Sequence, residues 1–562
     1  MKFSEMPYRR PDLDAFCAAA RDTVDKLNNA ATAEEQMKAY RSYEALMSSF
    51  QTQRTIASIR HTINTKDKFY EAEQDWMDAN LPLVEEADQQ VSMALLHSRF
   101  RTELAESLGE LLFTNLEIQV RSFRPEMMDL MTEENKLVSA YQKLYASAMV
   151  EFDGRTLPLP KLGLYKQSTD RTVRKAAYEA EGRFFDDHRE ELDGIYDKLV
   201  KNRTAQAKML GYDNCLQLGY DRLGRNCYGP KEVAAFRDQI AEDWVPIAAQ
   251  AKEDQRARLG LDHMYFYDDP MLFADGNAVP EGTVDDILKA GLDMYHGLSP
   301  ETAEFIDLMY DNELLDVLSK EGKAPGGYST TLPDYKAPFI FSNFDGTAGD
   351  VDVLTHEAGH AFASYRAFRN GIIRPLQQPT MEACECHSMS MEFLTQDFHK
   401  NFFGDKVRKY EISHCEDKLF FIPYGCMVDE FQHKMYENPE LTPEQRNGVW
   451  AELEKKYRPW LDFGDLPFYG RGAGWQRKEH IYEIPFYYID YCMAQTVAFQ
   501  FWIASMKDWK DAWKRYLAFV DKGGTRTFEQ LVRGAGLKVP YEPGCIKEIG
   551  TAVSQWIRDN PL

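Results

Sequence analysis

The chain has 562 residues, of which 44% are hydrophobic and 13% aromatic, and this composition excludes a largely disordered protein. The formal net charge of −24 argues against binding to the phosphate backbone of nucleic acids. No run approaches the roughly 18 consecutive apolar residues of a membrane-spanning helix, so we expect a soluble protein without a membrane partner.

The first residues, MKFSEMPYRRPDLDAF, contain basic side chains but no apolar segment after them, so we do not expect a secretory signal. The nine cysteines are odd in number and mostly scattered, which favours reduced thiols over a disulfide framework. Together these two features predict a cytoplasmic protein.

Helical periodicity dominates the chain, and its length predicts two or more lobes. From about residue 10 to 145, apolar residues recur at spacings of three and four. At 150–167, a DG turn between short β-prone runs predicts a hairpin. Helical patterns then resume until 322–347, where Gly, Pro and Asp around a short apolar run predict loop and strand. Helices follow to the end, one of them marked by a capping box of Thr442 and Gln445. The predicted fold class is mainly α with a small β element.

The stretch DVDVLTHEAGHAFA places His356 and His360 four residues apart, with Glu357 directly after the first. Side chains four residues apart project from one face of a helix, so both imidazoles can bind one Zn²⁺. Glu357 is displaced around the helix toward a water on that metal. The alternative is a pair of surface histidines on an amphipathic helix.

The local sequence indicates that this motif lies on a helix. Asp350 is expected to cap the helix, and Gly371 is expected to stop it. Gly359, inside the motif, suggests that another segment packs closely there.

A catalytic zinc ion needs three protein ligands and one open position. The next segment, PTMEACECHSMSMEFLTQ, offers these candidates for the third ligand: Glu382, Cys384, Glu385, Cys386, His387 and Glu392. Cysteine ligands would suit a closed structural site, but the two thiols lie only one residue apart within a helical pattern. The residues alone leave the third ligand open.

With these motifs the chain resembles the thimet oligopeptidase and oligoendopeptidase F family of zinc peptidases. The family's third ligand is a glutamate followed by x-x-Ser and often by another glutamate. Glu385, Ser388 and Glu392 match this pattern, so the resemblance implies Glu385 as the ligand, with Glu382 as the alternative. FSNFDGTAGDVDVLTHEAGH, APGGYST and the helical segments DRTVRKAAYEAEGRF and KNRTAQAKMLGYDN also resemble the family, over roughly residues 60–560. One departure from the family pattern is Gly327, which stands where many members of the family have alanine.

The resemblance implies a hydrolase in which one Zn²⁺ per chain activates water and Glu357 acts as the general base. In KEHIYEIPFYYIDYCMAQTVAF, Tyr488 and Tyr491 lie three residues apart on one helical face, after His480. By themselves, aromatic residues at helical spacing are more typical of a core. The resemblance places the two tyrosines on the family's substrate-binding, transition-state-stabilising pair. His480 matches less closely, because its interval to the tyrosines is one residue shorter than in the thimet-type branch.

Two segments before the histidine motif are predicted to bind substrate. Phe339–Phe344 is expected to form an edge strand to which an extended peptide adds by backbone hydrogen bonds. The Gly-rich loop before it is expected to close over the substrate, although a plain surface turn fits the sequence equally. The residues predicted to contact substrate are Gly326, Gly327, Tyr328, Phe339, Phe341 and Asn343.

The sequence therefore predicts an intracellular zinc oligoendopeptidase that cuts internal bonds of short peptides. The resemblance implies two helical lobes around a deep channel, a mainly helical lobe of residues 1–190 and a catalytic lobe of residues 191–562, with an approximate boundary and interleaved lobes. One alternative is a dipeptidyl carboxypeptidase of related architecture. Another is a non-catalytic peptide-binding protein with a structural metal, against which Glu357 argues because a structural site needs no base.

Overall fold

The computed structural model describes residues 1–561, and it is mainly α-helical with two small sheets, as predicted. The helices are α1 Leu13–Asn29, α2 Ala33–Ile63, α3 Lys68–Leu96, α4 Arg101–Leu108, α5 Glu110–Arg121, α6 Met128–Ala146, α7 Leu162–Lys166, α8 Arg171–Asp187, α9 Arg189–Met209, α10 Cys215–Arg222, α11 Pro230–Gln239, α12 Val245–Arg258, α13 Val284–Leu298, α14 Pro300–Asp311, α15 Ala348–Arg369, α16 Met381–Leu394, α17 Lys400–Phe403, α18 Val407–Glu437, α19 Pro443–Tyr457, α20 Pro467–Gly470, α21 Glu479–Glu483, α22 Tyr488–Lys507, α23 Trp509–Val520, α24 Phe528–Gly534 and α25 Cys545–Asp559. The strands are β1 Met149–Phe152, β2 Arg155–Pro158, β3 Leu315–Leu318, β4 Tyr328–Leu332 and β5 Ala337–Phe344. Within residues 1–561, no helix combines the length and the apolar character needed to cross a membrane.

The chain forms two compact units, each assembled from three separate segments. Unit 1 comprises Met1–Val120, Val279–Val407 and Val497–Leu537, and unit 2 comprises Arg121–Ala278, Arg408–Thr496 and Lys538–Leu562. The domain boundary near residue 190 stays a prediction.

The predicted hairpin is formed by β1 and β2, which pair antiparallel in unit 2. Its two turn residues, Asp153 and Gly154, have φ values of 52° and 69°, as a type I′ turn requires. The strands end at Pro158, and the remainder of the predicted hairpin segment contains the short helix α7.

The second sheet, in unit 1, has the strand order β3-β5-β4. Strand β5 pairs in parallel with β3 and antiparallel with β4, so both of its edges are occupied. The prediction that Phe339–Phe344 forms an edge strand was therefore wrong. The side chains of Phe339 and Phe341 have no exposed surface. The edges of this sheet are β3 and β4.

The first helices of unit 1 bury a core of their own. Phe16 of α1 packs against Tyr43 and Phe50 of α2, with ring centroids 6.4 and 5.4 Å apart. Leu376, far along the chain, joins the same core. The N-terminal helices are thus packed together with the segment between α15 and α16.

Candidate metal centre

Helix α15 carries the histidine motif and follows the central strand β5 through a tight turn. Its N-cap residue is Thr347, so the prediction of Asp350 as the cap was wrong. Asp350 lies in the first turn, where its carboxylate accepts hydrogen bonds from the backbone N–H groups of Asp345 at 3.0 Å and Gly346 at 2.6 Å. These bonds hold the turn that leads into the helix. Gly371, at φ 66°, follows the last helical turn as expected.

The structure brings the three predicted ligands together. Glu385 Oε2 lies 3.4 Å from His356 Nε2 and 3.6 Å from His360 Nε2. One ligand atom from each residue lies within 4.8 Å of the other two. Tetrahedral zinc with ligand distances of about 2.0 to 2.2 Å separates its ligands by about 3.4 Å. Both the donor set and its spacing therefore fit a zinc ion.

Glu385 reaches the histidines because α15 and α16 approach each other closely at Gly359. A Cβ atom at this position would lie 2.6 Å from Ser388 Cα and 2.8 Å from His387 O. Both atoms belong to the backbone of α16, so a side chain could not be accommodated by a rotamer change. The expectation that a segment packs closely at Gly359 is confirmed.

Two further side chains orient the ligands. His356 Nδ1 lies 2.8 Å from Glu392 Oε1, and with Nδ1 protonated the Nε2 lone pair faces the metal position. Ser388 Oγ donates to Glu385 Oε2 at 3.3 Å. Burial lowers the pKa of His356, but its hydrogen bonds to Glu385 and Glu392 outweigh burial and raise this pKa to about 10. Burial raises the pKa of Glu385, yet the two histidines hold it well below its usual range.

Glu357 lies beside the ligand cluster as a half-buried carboxylate. Burial raises its pKa, and the neighbouring His356 and His360 offset part of this effect. No described side chain forms a hydrogen bond to the Glu357 carboxylate, so both of its oxygens can accept a proton from water. A carboxylate with a raised pKa is a stronger general base than an exposed one.

Among residues 1–561, the group of close ligand atoms does not include Glu382, Cys384, Cys386 or His387, and Glu392 bonds His356 Nδ1 instead. Glu382 Oε1 accepts a hydrogen bond from Thr380 Oγ1 at 2.6 Å. Cys384 Sγ donates to Pro379 O at 3.5 Å. The His387 ring packs edge-on against Phe519, and burial lowers its pKa to about 3. Cys386 is fully buried, and burial raises the pKa of its thiol well above the usual value.

The predicted tyrosines and His480 form a cluster in unit 2. The ring centroid of His480 lies 4.9 Å from that of Tyr488 and 6.0 Å from that of Tyr491. Lys478 Nζ donates to the Tyr488 hydroxyl at 3.1 Å. Burial raises the pKa of Tyr488 well above 10, and burial together with Lys478 lowers the pKa of His480 to about 4. Both groups are therefore neutral at neutral pH.

The Gly-rich loop before β4 is fastened to its neighbours within unit 1. Asn343 Nδ2 donates to Ala324 O at 2.8 Å and to Gly326 O at 2.9 Å. The Tyr328 ring stacks on Phe341 at 4.9 Å. Gly327 sits so close to β5 that a Cβ would lie 3.3 Å from Phe341 O. The roles of these residues toward substrate stay predictions.

Comparison with known proteins identifies the family. Residues 164–551 match the model of peptidase family M3, and residues 3–123 match that of the peptidase M3 N-terminal domain. The chain belongs to peptidase family M3. The resemblance seen in the sequence is thereby confirmed.

Similarity to individual proteins agrees with the assignment of this chain to peptidase family M3. A structure of Pz peptidase A with inhibitor 2 is 45% identical in sequence, with a TM-score of 0.93 over 99% of both chains. Oligopeptidase PepF of Bacillus subtilis (strain 168) is 25% identical over 395 residues, which cover 68% of this chain but only 57% of that protein. Oligoendopeptidase-F from Enterococcus faecium, at 15% identity and a TM-score of 0.62 over 97% of each chain, shares the fold.

Sequence reasoning did not single out Lys478, which contacts the predicted Tyr488 in this M3 chain. Lys478 precedes His480 by two residues, and its ammonium group lies 4.6 Å from the Tyr488 ring centroid as well as bonding the hydroxyl. The only sequence signal was its place in the quoted segment KEHIYE.

Proposed function

We propose that the protein is a zinc-dependent oligoendopeptidase that hydrolyses internal bonds of short peptides in the cytoplasm. One Zn²⁺ per chain would be held by His356, His360 and Glu385. The observation that carries this proposal is the position of Glu385 Oε2, 3.4 and 3.6 Å from the two Nε2 atoms, next to the Glu357 carboxylate. Membership of peptidase family M3 supports peptides as the substrate class.

The bound zinc would supply a Lewis acid, which polarises a peptide carbonyl and lowers the pKa of water toward about 7. Glu357 accepts the proton of the attacking water and later delivers it to the leaving amine. Glu392 keeps the His356 ring in one orientation throughout, because its carboxylate holds Nδ1 at 2.8 Å. Ser388 keeps the Glu385 carboxylate in one orientation, because its Oγ donates a hydrogen bond to Glu385 Oε2.

The developing oxyanion requires preorganised hydrogen-bond donors. The family resemblance assigns this role to Tyr488 and Tyr491, with His480 beside them, and we include it in the proposal. The raised pKa of Tyr488 supports the assignment, because its hydroxyl remains protonated and able to donate at neutral pH.

The peptide would be held as an added strand on β4 rather than on β5. Both edges of β5 are paired, whereas β4 pairs with β5 along one edge only. An extended peptide can hydrogen-bond to the other edge largely without regard to its side chains. This would suit an enzyme that cuts peptides of varied sequence.

The decisive experiment is Glu357→Gln. An amide cannot accept the proton of the attacking water, so turnover should fall by roughly 10² to 10⁴-fold while metal content stays at one per chain. Metal analysis of the purified variant, with mass-spectrometric mapping of cuts in a mixed peptide pool, measures both quantities.

Glu382→Gln is the matched control, since this carboxylate also lies near the site but bonds Thr380 instead. It should retain most activity. A Glu357→Gln enzyme within tenfold of wild type would remove Glu357 from the mechanism.

A further inference from the structure

The chain just before α22 adopts a backbone conformation that is rare for an aromatic residue. Phe486 has φ 68°, in the left-handed region that residues other than glycine adopt at a cost in free energy. In the part of the chain that the structure describes, the other non-glycine residues with positive φ are polar and exposed: Asp153, Glu313 and Lys336. Phe486 is fully buried. Because α22 begins two residues later, at Tyr488, the conformation of Phe486 sets the direction of this helix.

Two side chains hold the backbone polar groups of Phe486. Arg225 Nη2 donates a hydrogen bond to Phe486 O at 2.6 Å. Phe486 N donates to Gln432 Oε1 at 3.0 Å. Both side chains are buried and come from distant parts of the chain within unit 2. A strained conformation persists only where its surroundings hold it, and these two bonds supply that restraint.

The same nitrogen of Arg225 also reaches into the first turn of α22. Nη2 donates a second hydrogen bond, at 2.6 Å, to Asp490 Oδ1, and the Tyr228 hydroxyl donates to that oxygen at 3.4 Å. Arg225 is therefore bonded to the residues two positions before and two positions after Tyr488. Tyr491 follows Asp490 directly. One guanidinium group thus fixes the chain on both sides of Tyr488.

The position of Arg225 is set by the end of α10. Gly224 has φ 66°, and its N–H donates to Asp221 O at 2.9 Å. The N–H of Arg225 donates to Tyr220 O at 3.2 Å. These two bonds form a Schellman motif, in which the residue after the glycine contacts the last turn of the helix. Here the guanidinium group lies 4.2 Å from the Tyr220 ring centroid, so both the backbone and the side chain of Arg225 are held.

Helix α10 also contacts the ring of Phe486. A Cβ atom at Gly219 would lie 2.3 Å from Phe486 Cδ2, so the glycine leaves the space that the ring occupies. The next residue, Tyr220, packs its ring 5.9 Å from that of Phe486, measured between centroids. The ring and both backbone polar groups of Phe486 are therefore held. We call Gly219, Arg225 and Gln432 the Phe486 clamp.

We propose that Arg225 is a positioning residue, which holds Tyr488 and Tyr491 where their hydroxyl groups can donate to the oxyanion. This rests on the proposed function, which assigns that donation to the two tyrosines. A preorganised donor stabilises an oxyanion because it does not have to reorient during the reaction. Without Arg225, Phe486 relaxes toward an ordinary φ, and the first turn of α22 moves with it. Because Arg225 is buried, it acts through the chain that it holds.

The test replaces the buried ion pair by neutral side chains, as Arg225→Met together with Asp490→Asn. Both residues are changed because a buried aspartate left without its partner destabilises the fold. We expect kcat to fall by roughly 10 to 100-fold with little change in KM, because misplacement by about 1 Å costs up to about 100-fold. Arg225→Lys should retain a larger part of kcat, since one ammonium group can donate to both acceptors.

The matched control is Arg258→Met together with Glu416→Gln. This ion pair is also largely buried in unit 2, but its guanidinium group bonds Glu416 and the Leu272 carbonyl. The control should keep the wild-type kcat even where it lowers thermal stability. Gln432→Met is a second change to the clamp, which removes the acceptor of the Phe486 N–H and leaves the Arg225 ion pair intact. It should also lower kcat.

A change that acts through the tyrosines should have no further effect once their hydroxyl groups are removed. In protein that carries Tyr488→Phe and Tyr491→Phe, the Arg225 and Asp490 changes should therefore alter kcat by less than about twofold. An equal loss of kcat with and without the hydroxyl groups would overturn the proposal. A change confined to KM would overturn it as well.

Amide hydrogen exchange at residues 486–491 gives a readout that does not depend on turnover. The Arg225→Met Asp490→Asn protein should exchange faster there than wild type, and the Arg258 control should not. Unchanged exchange, or an unchanged kcat where Tyr488→Phe lowers it, would refute the positioning role of Arg225. Faster exchange in a protein whose kcat is lowered neither by these changes nor by Tyr488→Phe would instead refute the proposed oxyanion role of the tyrosines.

Discussion

Gly359→Ala perturbs the metal centre without touching a ligand. The added Cβ would lie 2.6 Å from Ser388 Cα and 2.8 Å from His387 O, whereas carbon atoms in van der Waals contact are about 3.5 to 4.0 Å apart. Because both obstacles are backbone atoms, α16 must move away from α15 by about 1 Å. Glu385 lies on α16, one turn before Ser388, and must move with it.

The expected effects on stability and on metal binding differ in size. Overpacking costs about 1 to 3 kcal/mol, and the higher helix propensity of alanine returns up to about 1 kcal/mol. We therefore expect the free energy of unfolding to fall by about 0 to 3 kcal/mol. A ligand displaced by about 1 Å should weaken zinc binding by roughly 10 to 100-fold, the size seen when a supporting contact is lost.

Zinc affinity can be measured by competition with a chelator, and stability by urea unfolding of the same preparations. Gly349→Ala, on the same helix, is the control, since its Cβ would meet only Thr347 Oγ1, at 3.4 Å. It should leave zinc affinity unchanged. If Gly359→Ala bound zinc as tightly as the control and gained stability, the close approach of α15 and α16 would not be what positions Glu385.

Three further predictions concern individual side chains. Glu385→Ala should lose stoichiometric zinc in metal analysis whereas Glu382→Ala should retain it, and the reverse result would exchange their roles. Tyr488→Phe and Tyr491→Phe should each lower kcat by roughly 10² to 10³-fold with little change in KM, whereas a loss of thermal stability alone would indicate a core role. Burial raises the pKa of Glu454 from 4.5 to about 7, so the folded state binds a proton between these values that the unfolded chain does not. The stability that this proton contributes is fully present below about pH 4.5 and is lost as the pH rises through 7, by about 3 kcal/mol in total. Urea unfolding at pH 5 and pH 8 should show a smaller pH dependence for Glu454→Gln, and an unchanged dependence would contradict the assignment.

Local signals in the sequence predicted local structure well. The Asp153-Gly154 turn adopts the two positive φ values that this dipeptide favours, and the hairpin follows from it. The Thr442 and Gln445 capping box forms as predicted, because both hydrogen bonds lie within one helical turn. Such features depend on residues that are close neighbours along the chain.

Strand order depended on partners that no local pattern reveals. The sequence predicted β5 as a strand at the edge of the sheet. This position was wrong because β3, which pairs with β5, was not predicted. The four residues of β3, LDVL, follow helix α14 so closely that periodicity cannot separate them from it. Parallel pairing of β3 with β5 is a non-local choice, and it leaves β4 as the edge on the other side.

For the metal ligands, too, local patterns predicted the neighbouring residues but not the one on a second helix. Spacing alone indicated His356 and His360, because both lie on one turn of one helix. The third ligand could not be chosen from the residues alone, since it depends on how closely a second helix approaches. Gly359 marks that approach, but only the family resemblance pointed to Glu385, and the geometry agrees with it.

The discontinuous units have a consequence for how the protein is made on the ribosome. The first segment of unit 1 ends at Val120, and its last segment ends at Leu537, which is 417 residues later (537 − 120). At about 5 to 20 residues per second, the N-terminal helices would wait roughly 20 to 80 s for their final partners. During the first part of this interval they can form the core around Phe16 and Phe50, but Leu376 joins that core only after a further 256 residues have been made (376 − 120). The nascent chain therefore carries exposed apolar surface for most of its synthesis, and we expect chaperones to bind this surface.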